Sequence, residues 1–257
     1  MKTLFLAWQA SRPAVVGMPA SRAWYPIGRL DAVPEESSYR FTYTRGAERA
    51  RSEAGFGYLE AFPKPDRVYE SRELFPLFQN RVINPRRSDY VDYVKRLALD
   101  PQHTDPIDIL SVSGGERQTD HLEVFPKIQP RSDGSFACRF FLHGWRHVNT
   151  ESQARLARLI PGEALRVALE LNNPATGAAV QLETADDYFM IGWTPRYLVM
   201  DFLHAMSKSH RQVNARVVRI NPEPAPTNQR ALIELEGTLP AGVEPMSSDD
   251  YQPLVHH

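Results

Sequence analysis

Three short stretches combine glycine with aromatic and basic residues, and this combination suits a surface that binds nucleic acid. They are residues 141–147, 170–174 and 191–197. Gly144 and Gly192 have no side chain, so each permits a close approach to the backbone or a sharp bend in a strand. Arginine offers a planar fork of donors that matches phosphate, and flat rings stack on bases. The stretches therefore predict a surface that holds phosphates and stacks bases.

The candidate ligand-binding residues lie in these stretches. Arg146 is the candidate for phosphate, with a solvated surface arginine or a local ion pair as the alternative. His147 is either a stacking ring or a satisfied histidine of a strand. Trp145 and Trp193 are either stacking platforms or core residues. The other candidates, which turn formation and helix packing also explain, are Asn172, Asn173, Arg196 and Tyr197.

Signatures of enzymes and metal sites are scarce. The chain contains no Gly-x-Ser-x-Gly, phosphate-loop, His-Glu-x-x-His or dinucleotide pattern. His143 and His147 are four residues apart on a predicted strand, and no cysteine or carboxylate cluster accompanies them. We therefore expect no catalytic residue, no metal and no cofactor. An enzyme that uses Asp and His groups across a domain cleft is the third and weakest interpretation.

Composition limits the class of protein. The chain has 257 residues, 42% hydrophobic and 24% charged, which suffices for one large or two ordinary globular domains. Its 21 prolines against 14 glycines favour stiff turns and few long helices. A single cysteine, Cys138, excludes an internal disulfide and is compatible with a reducing cytoplasm. No apolar stretch approaches the roughly 20 residues that span a bilayer, so we expect no membrane partner.

Charge is unevenly distributed, although the net charge is only −1. Residues 131–222 contain 11 Lys and Arg against eight Asp and Glu, with four histidines besides. Residues 223–257 contain one basic residue against six acidic ones. A modest positive excess therefore coincides with the three stretches. The low apolar content from residue 241 onward predicts an acidic, flexible tail.

Alternating apolar residues and capping residues predict a mixed α and β fold. In the first half, strands are predicted over residues 3–9, 24–30, 39–43 and 122–125. The first three of these strands are predicted to form an antiparallel meander. Two helices are predicted over residues 47–54 and 88–97. A third is predicted to begin after an N-cap at Ser71, and a fourth to begin at Pro106 after a cap at Asp105 or Thr104.

Proline and glycine between residues 126 and 134 predict a domain boundary. Strands of the second half are predicted over residues 136–142, 164–171, 178–182, 188–193, 212–220 and 230–239. Helices are predicted over residues 151–159 and 195–206. In the strand over 164–171, alternation predicts an inward face made of Leu165, Val167, Leu169 and Leu171.

The order of the three stretches resembles the HIRAN domain, over roughly residues 136–220. In that family, the opening strand contains glycine, aromatic and basic residues, which Gly144 to His147 match. An Asn-Pro turn follows, and it is matched at Pro174. Its closing Gly-aromatic-x-Pro strand precedes a short helix and is matched from Gly192 to Pro195. The resemblance implies a small β-barrel related to OB-folds that binds single-stranded DNA or DNA ends, with Arg146 holding the nucleic acid.

The Asn-Pro turn departs from the HIRAN pattern. After the proline, that family has an aromatic residue and an aspartate, whereas this chain has Ala175 and Thr176. A stacking ring and a carboxylate for a terminal sugar hydroxyl are therefore missing. Binding of single strands without recognition of a 3′ end, or of another ligand, is still compatible with the sequence.

The first half resembles the N-terminal region of HipA-type kinase toxins. The matching pieces are residues 27–30, 39–43 and 77–81, the helix over residues 90–97, and Gly114-Gly115 before the last strand. The resemblance implies a small α+β subdomain that contacts protein partners, without the catalytic kinase core.

These observations predict an α+β protein of bacterial type, located in the cytoplasm. An N-terminal α+β domain over residues 1–129 precedes an OB-like β-barrel with short helices over 130–240 and a flexible acidic tail over 241–257. The predicted function is non-enzymatic binding of single-stranded DNA or DNA ends through the barrel, with a possible protein partner at the N-terminal domain. The alternative is a protein-interaction adaptor that binds no nucleic acid.

Overall fold

The chain folds into two compact units, each with its own antiparallel sheet. The structure, a computed structural model, describes residues 1–10, 23–117, 119–174, 176–208 and 213–255. The first unit comprises residues 1–94, 99–127 and 246 onward, and the second comprises residues 95–98 and 128–245. Short helices accompany both sheets, which confirms the α+β class. None of the helices in these ranges combines the length and the apolar character that a membrane span requires.

The first unit contains a five-stranded antiparallel sheet with the order β4-β3-β2-β1-β5. Its strands are β1 Lys2–Gln9, β2 Trp24–Val33, β3 Ser38–Tyr43, β4 Tyr69–Ser71 and β5 Leu122–Pro126. The predicted meander of β1, β2 and β3 is confirmed. Leu4, Leu6 and Val124 belong to the hydrophobic core on one face of the sheet. Because side chains alternate along a strand, Phe5 and Phe125 face the opposite side.

In the described part of the first unit, four α-helices lie between these strands, and capping residues mark the end of α1 and the start of α4. They are α1 Arg45–Ala54, α2 Pro76–Gln79, α3 Tyr90–Arg96 and α4 Pro106–Ser113. The predicted end of α1 is confirmed, since Gly55 closes it with a φ of 74°. The predicted cap of α4 is also confirmed, because the Asp105 carboxylate accepts a hydrogen bond of 2.9 Å from the Asp108 amide.

The prediction of a helix from Ser71 is wrong. Ser71 ends strand β4, and α2 begins five residues later at Pro76. Proline suits the first helical position, because its fixed φ is already helical and it has no N–H to satisfy. It also disfavours helical backbone at the residue before it, and Phe75 has an extended ψ of 142°.

The second unit contains a six-stranded antiparallel sheet with the order β6-β11-β10-β7-β8-β9. Its strands are β6 Ser135–Phe141, β7 Ala164–Asn173, β8 Gly177–Thr184, β9 Met190–Trp193, β10 Asn214–Ile220 and β11 Ala231–Thr238. Helices α5 Thr150–Leu156 and α6 Val199–Lys208 accompany it. Just beyond the end of β6, His143 forms one bridge with Trp193 on the other outer strand, β9, and the amide of each residue donates to the other's carbonyl oxygen at 2.9 Å.

A buried carboxylate joins three strands of this sheet. Glu234 on β11 lies directly opposite Arg139 on β6 and Arg216 on β10, and it is ion-paired with both. Burial raises the pKa of Glu234, but the two guanidinium groups outweigh this effect and the net shift is downward. Two arginines of the basic second half therefore hold the sheet together.

The predicted inward face of β7 is correct only at the start of the strand. Leu165 is buried, whereas Leu169 is 41% and Leu171 is 71% exposed. Strand β10 pairs with β7 at Ala164 and Leu165, and the β7–β8 hairpin continues beyond this pairing. Alternation determines the face on which a side chain lies, but not how far the core extends along that face.

Candidate nucleic-acid interface

The bridge between the outer strands of the second unit depends on two glycines. Gly144 has a φ of 67°, and a Cβ atom there would lie 2.4 Å from Cε3 of Trp193. Gly192 has a φ of 153°, and a Cβ atom there would lie 2.6 Å from the carbonyl oxygen of His143. Both φ values favour glycine. The predicted close approach to each glycine is therefore confirmed: the indole of Trp193 approaches Gly144, and the carbonyl oxygen of His143 approaches Gly192.

A short turn follows the bridge and presents the first group of candidates. Trp145–His147 form a single turn of 3-10 helix. Trp145 Nε1 donates to the carbonyl oxygen of Thr227 at 2.8 Å, and the Arg230 guanidinium lies 5.9 Å from the centre of the indole. These contacts fix the indole in a half-buried position and so anchor the turn.

The prediction that His143 and His147 share one face of a strand is wrong. The strand ends at Phe141, and the two histidines are separated by Gly144 and the turn. The positive φ of Gly144 reverses the chain direction here, so the spacing of four residues no longer fixes a common face. In the described part of the chain, no group of three or more His, Cys, Asp or Glu is arranged to hold a metal ion.

Arg146 and His147 project from this turn into solvent. Both are exposed, and neither side chain forms a hydrogen bond, ion pair or ring contact with another described residue. The local ion pair considered for Arg146 is therefore absent among the described residues. By contrast, Arg155 bonds both Glu163 and Asp187. Arg146 thus retains its full set of donors for a ligand.

The second group of candidates is connected through Glu170. Trp193 Nε1 donates to Glu170 Oε2 at 2.7 Å, and Asn173 Nδ2 donates to the same oxygen at 2.9 Å. A register shift between Glu170 and Asn173 bulges strand β7. An extra residue in a bulge re-aims the side chains that follow it, which brings Asn173 to the side of Glu170.

Glu170 is a residue of this site that the sequence analysis did not single out. Hydrogen bonds from Asn173 and then Trp193 hold the pKa of its carboxyl below the ordinary value, with a further contribution from Gln181. A glutamate on the polar face of an amphipathic strand looks like a solvated charge in the sequence. Its indole partner lies two strands away in the sheet, and strand alternation carries no information about such a partner.

Acidification will disturb the environment of Trp193 through Glu170. Because its pKa is lowered in the folded state, the carboxylate contributes stability above its ordinary pKa, and this contribution is lost as the pH falls through the lowered value. We expect a change in the near-ultraviolet circular dichroism of the indole over that acidic range. Glu170→Gln keeps an acceptor oxygen but cannot titrate, so the acidic step should be absent in this variant. A step of equal size in Glu170→Gln would assign the change to another group.

The remaining candidates lie beside these two groups. Asn172 is exposed at the end of β7, and Thr176 donates through its amide to Asn173 Oδ1 at 3.2 Å across the predicted turn. Ala175 lies outside the described residues. Arg196 and Tyr197 are half-buried in a 3-10 turn, Arg196–Leu198, that precedes α6. The predicted helix over residues 195–206 therefore begins as a 3-10 turn.

The comparisons give no family for the chain. No protein-family model matches it, and no curated protein matches it. A crystal structure of a protein from Lactobacillus plantarum, solved by a structural genomics consortium, aligns with a TM-score of 0.32 and 20% identity. The alignment covers 42% of this chain and all of the other.

The groups gathered at this site can donate hydrogen bonds and offer flat rings. The turn presents the exposed guanidinium of Arg146 and the exposed imidazole of His147 beside the half-buried indole of Trp145. A second half-buried indole, that of Trp193, lies at the adjoining bridge. Burial raises the pKa of the Cys138 thiol far above neutrality, so this cysteine is a poor nucleophile.

Proposed function

We propose that the second unit binds single-stranded DNA or DNA ends through the turn Trp145–His147 and the adjoining Trp193. The observation that carries this proposal is the exposed Arg146 guanidinium, which has no acidic partner among the described residues. Arg146 directly follows the half-buried Trp145, and the half-buried Trp193 packs against the neighbouring Gly144. Guanidinium groups hold phosphate oxygens through paired hydrogen bonds, and aromatic rings stack on unpaired bases. The protein acts without catalysis in this proposal, in the cytoplasm of a bacterial cell.

A HIRAN-type, OB-like barrel is the fold that we propose for the second unit. The bridge between His143 and Trp193 supports it, because it joins the two outer strands of the sheet order. Curling a sheet until its edges meet is the step that produces a barrel. The two glycines beside the bridge each begin one of the HIRAN-like motifs, so these motif positions lie where the two ends of the sheet are bridged.

The positions of the charged groups favour one orientation of a bound strand across the site. Arg146 and His147 offer donors on the turn, while the carboxylate of Glu170 lies at Trp193. Phosphates will avoid this carboxylate and approach the turn, since like charges repel across short distances. A strand bound here would therefore have its backbone at Arg146 and its bases toward Trp193.

The test is binding of a fluorescein-labelled single-stranded oligonucleotide of about 20 nucleotides, longer than the stretch that one OB fold covers. Anisotropy at low and at moderate salt should show saturable binding that weakens as salt rises. Arg146→Ala should weaken binding about tenfold, the loss expected for one charge-assisted hydrogen bond to phosphate. Oligonucleotides with a 3′ hydroxyl, a 3′ phosphate or no end, as in a circle, distinguish end binding from strand binding.

Arg158→Ala is the matched control. Arg158 is exposed in the same unit, and its guanidinium also bonds no other described residue, so its removal changes the net charge equally. We expect less than about a twofold change for this variant, because it changes the net charge of the unit without removing a donor from the turn Trp145–His147. Absence of binding at both salts, or equal effects of the two variants, would overturn the proposal.

A protein-interaction adaptor is the second candidate, and the exposed face of the β7–β8 hairpin favours it. Leu169 and Leu171 are neighbours on one face and are 41% and 71% exposed. Adjacent exposed leucines are typical of surfaces that contact another protein. In this interpretation a partner would remain bound after nuclease treatment and would be lost in Leu171→Asp. The HipA-like interpretation of the first unit adds a further place for such a partner.

A further inference from the structure

The C-terminal segment is docked on the first unit and does not form the flexible tail that the sequence predicts. We call residues 246–255 the strap. The amide of Arg45 donates to the carbonyl oxygen of Gln252 and the amide of Leu254 donates to that of Tyr43, both at 2.9 Å. Thr44 and Pro253 form an isolated antiparallel bridge. The low apolar content misled the prediction, because backbone hydrogen bonds, two ion pairs and a few apolar side chains are enough to anchor the segment.

The ring of Tyr251 covers the face of the first sheet that points away from the core. Its centre lies 4.7 Å from that of Phe5, edge to face, and 6.4 Å from that of Phe125. Both phenylalanines are buried although they lie opposite the hydrophobic core. Removal of the strap would uncover part of this aromatic surface.

Two arginines of α1 recognise the acidic residues that precede the ring. Arg45 forms an ion pair with Asp249, and Arg49 forms one of 2.6 Å with Asp250. Gly46 lies between them, and a Cβ atom there would lie 3.0 Å from the carbonyl oxygen of Asp250, so the strap backbone runs directly over this turn of α1. The surface therefore matches a peptide with two adjacent carboxylates followed by an aromatic ring.

The anchoring is of the kind that opens locally. The Arg45–Asp249 pair is largely exposed, and ion pairs in water stabilise weakly. Burial raises the pKa of the Asp250 carboxyl, and Arg49 opposes this shift without cancelling it. Residues 250–255 are half-buried, residues 247–249 are exposed, and Met246 alone in the strap is fully buried. Segments with few buried groups and few backbone hydrogen bonds open more often than the sheets on which they lie.

We infer that the strap docks reversibly and that the surface beneath it, formed by Arg45, Arg49, Phe5 and Phe125, binds in trans peptides of the form Asp-Asp-aromatic. The strap is then the occupant in cis, favoured by its high effective concentration. A competing peptide from a partner must present the same two carboxylates and ring. This site belongs to the first unit and is independent of the proposed nucleic-acid binding.

The test uses the full chain with a specific protease site inserted after Gly242, an exposed position where a Cβ atom would meet nothing within 4 Å. After cleavage, a fluorescein-labelled peptide with the sequence of residues 246–257 should bind the cut protein. Peptides that carry Tyr251→Ala, or Asp249→Asn with Asp250→Asn, should bind at least about tenfold more weakly. The uncut chain should bind the native peptide at least about tenfold more weakly than the cut protein, because its own strap competes.

Hydrogen exchange on the intact chain checks reversibility without any substitution. The amides of Arg45 and Leu254 should exchange at least about 100-fold faster than the paired amides of β1, since opening of the strap leaves the sheet folded. Exchange of these amides at the rate of the β1 amides would overturn the inference. Failure of the cut protein to take up labelled peptide, or equal binding of the Tyr251→Ala peptide, would also overturn it.

Discussion

Replacing Gly192 with alanine will lower the free energy of unfolding of the second unit by about 3 kcal/mol or more. The added Cβ atom would lie 2.6 Å from the carbonyl oxygen of His143 and 2.8 Å from Cγ of Leu142. The carbonyl belongs to the backbone and forms the bridge, so it cannot move without loss of the paired hydrogen bonds. Strained backbone and overpacking each cost about 1–3 kcal/mol, and both apply at a φ of 153°. Urea denaturation followed by tryptophan fluorescence will measure the loss.

Gly177→Ala separates the two contributions to this loss. Gly177 also has a positive φ, of 74°, but a Cβ atom there would meet nothing within 4 Å. We expect this variant to lose only the backbone preference, about 1 kcal/mol. If Gly192→Ala proves no less stable than Gly177→Ala, the close approach at the bridge is wrong.

The sequence predicts best those features that one element determines by itself. Alternation predicts β1, β2 and β3, and the cap at Asp105 predicts the start of α4, because each signal lies within a few residues of its effect. The same local signals fail at Ser71, which resembles a helix cap until the stronger preference of Pro76 is considered. Local preference therefore predicts elements well only where no neighbouring preference competes with it.

Features that depend on contacts between distant residues are harder to predict. The glycines at residues 144 and 192 predict a close approach, but the approaching groups, Trp193 and His143, are revealed only by the bridge between these two residues. Glu170 and its indole partner meet across strand β8 in the same way. The strap is missed because its acidic residues look like a solvated tail until the arginines of α1 are placed beside them.

The largest loss of stability in the first unit is expected from removal of a buried arginine. The side chain of Arg81 is 1% exposed, donates to the carbonyl oxygen of Gly115 at 2.9 Å and is ion-paired with Asp120. Its Nε atom is buried and has no partner among the described residues. Arg81→Ala removes the cation, leaves its acceptors unsatisfied and empties the space that the stem fills. We expect the free energy of unfolding to fall by about 3–5 kcal/mol, the usual cost of breaking a buried pair.

Two further variants show which part of the side chain matters. Arg81→Met retains most of the apolar stem. The difference in the free energy of unfolding between the Met and Ala variants therefore measures the packing of the stem, and the difference between the native chain and the Met variant measures the polar contacts. Arg87→Ala is the control, because its ion pair with Asp89 is exposed to water and should contribute little to stability. Thermal and urea denaturation of the three variants give the comparison. A loss of stability in Arg81→Ala as small as that in Arg87→Ala would contradict this prediction. It would show that water replaces the guanidinium as the hydrogen-bond donor to Asp120 and Gly115 at little cost.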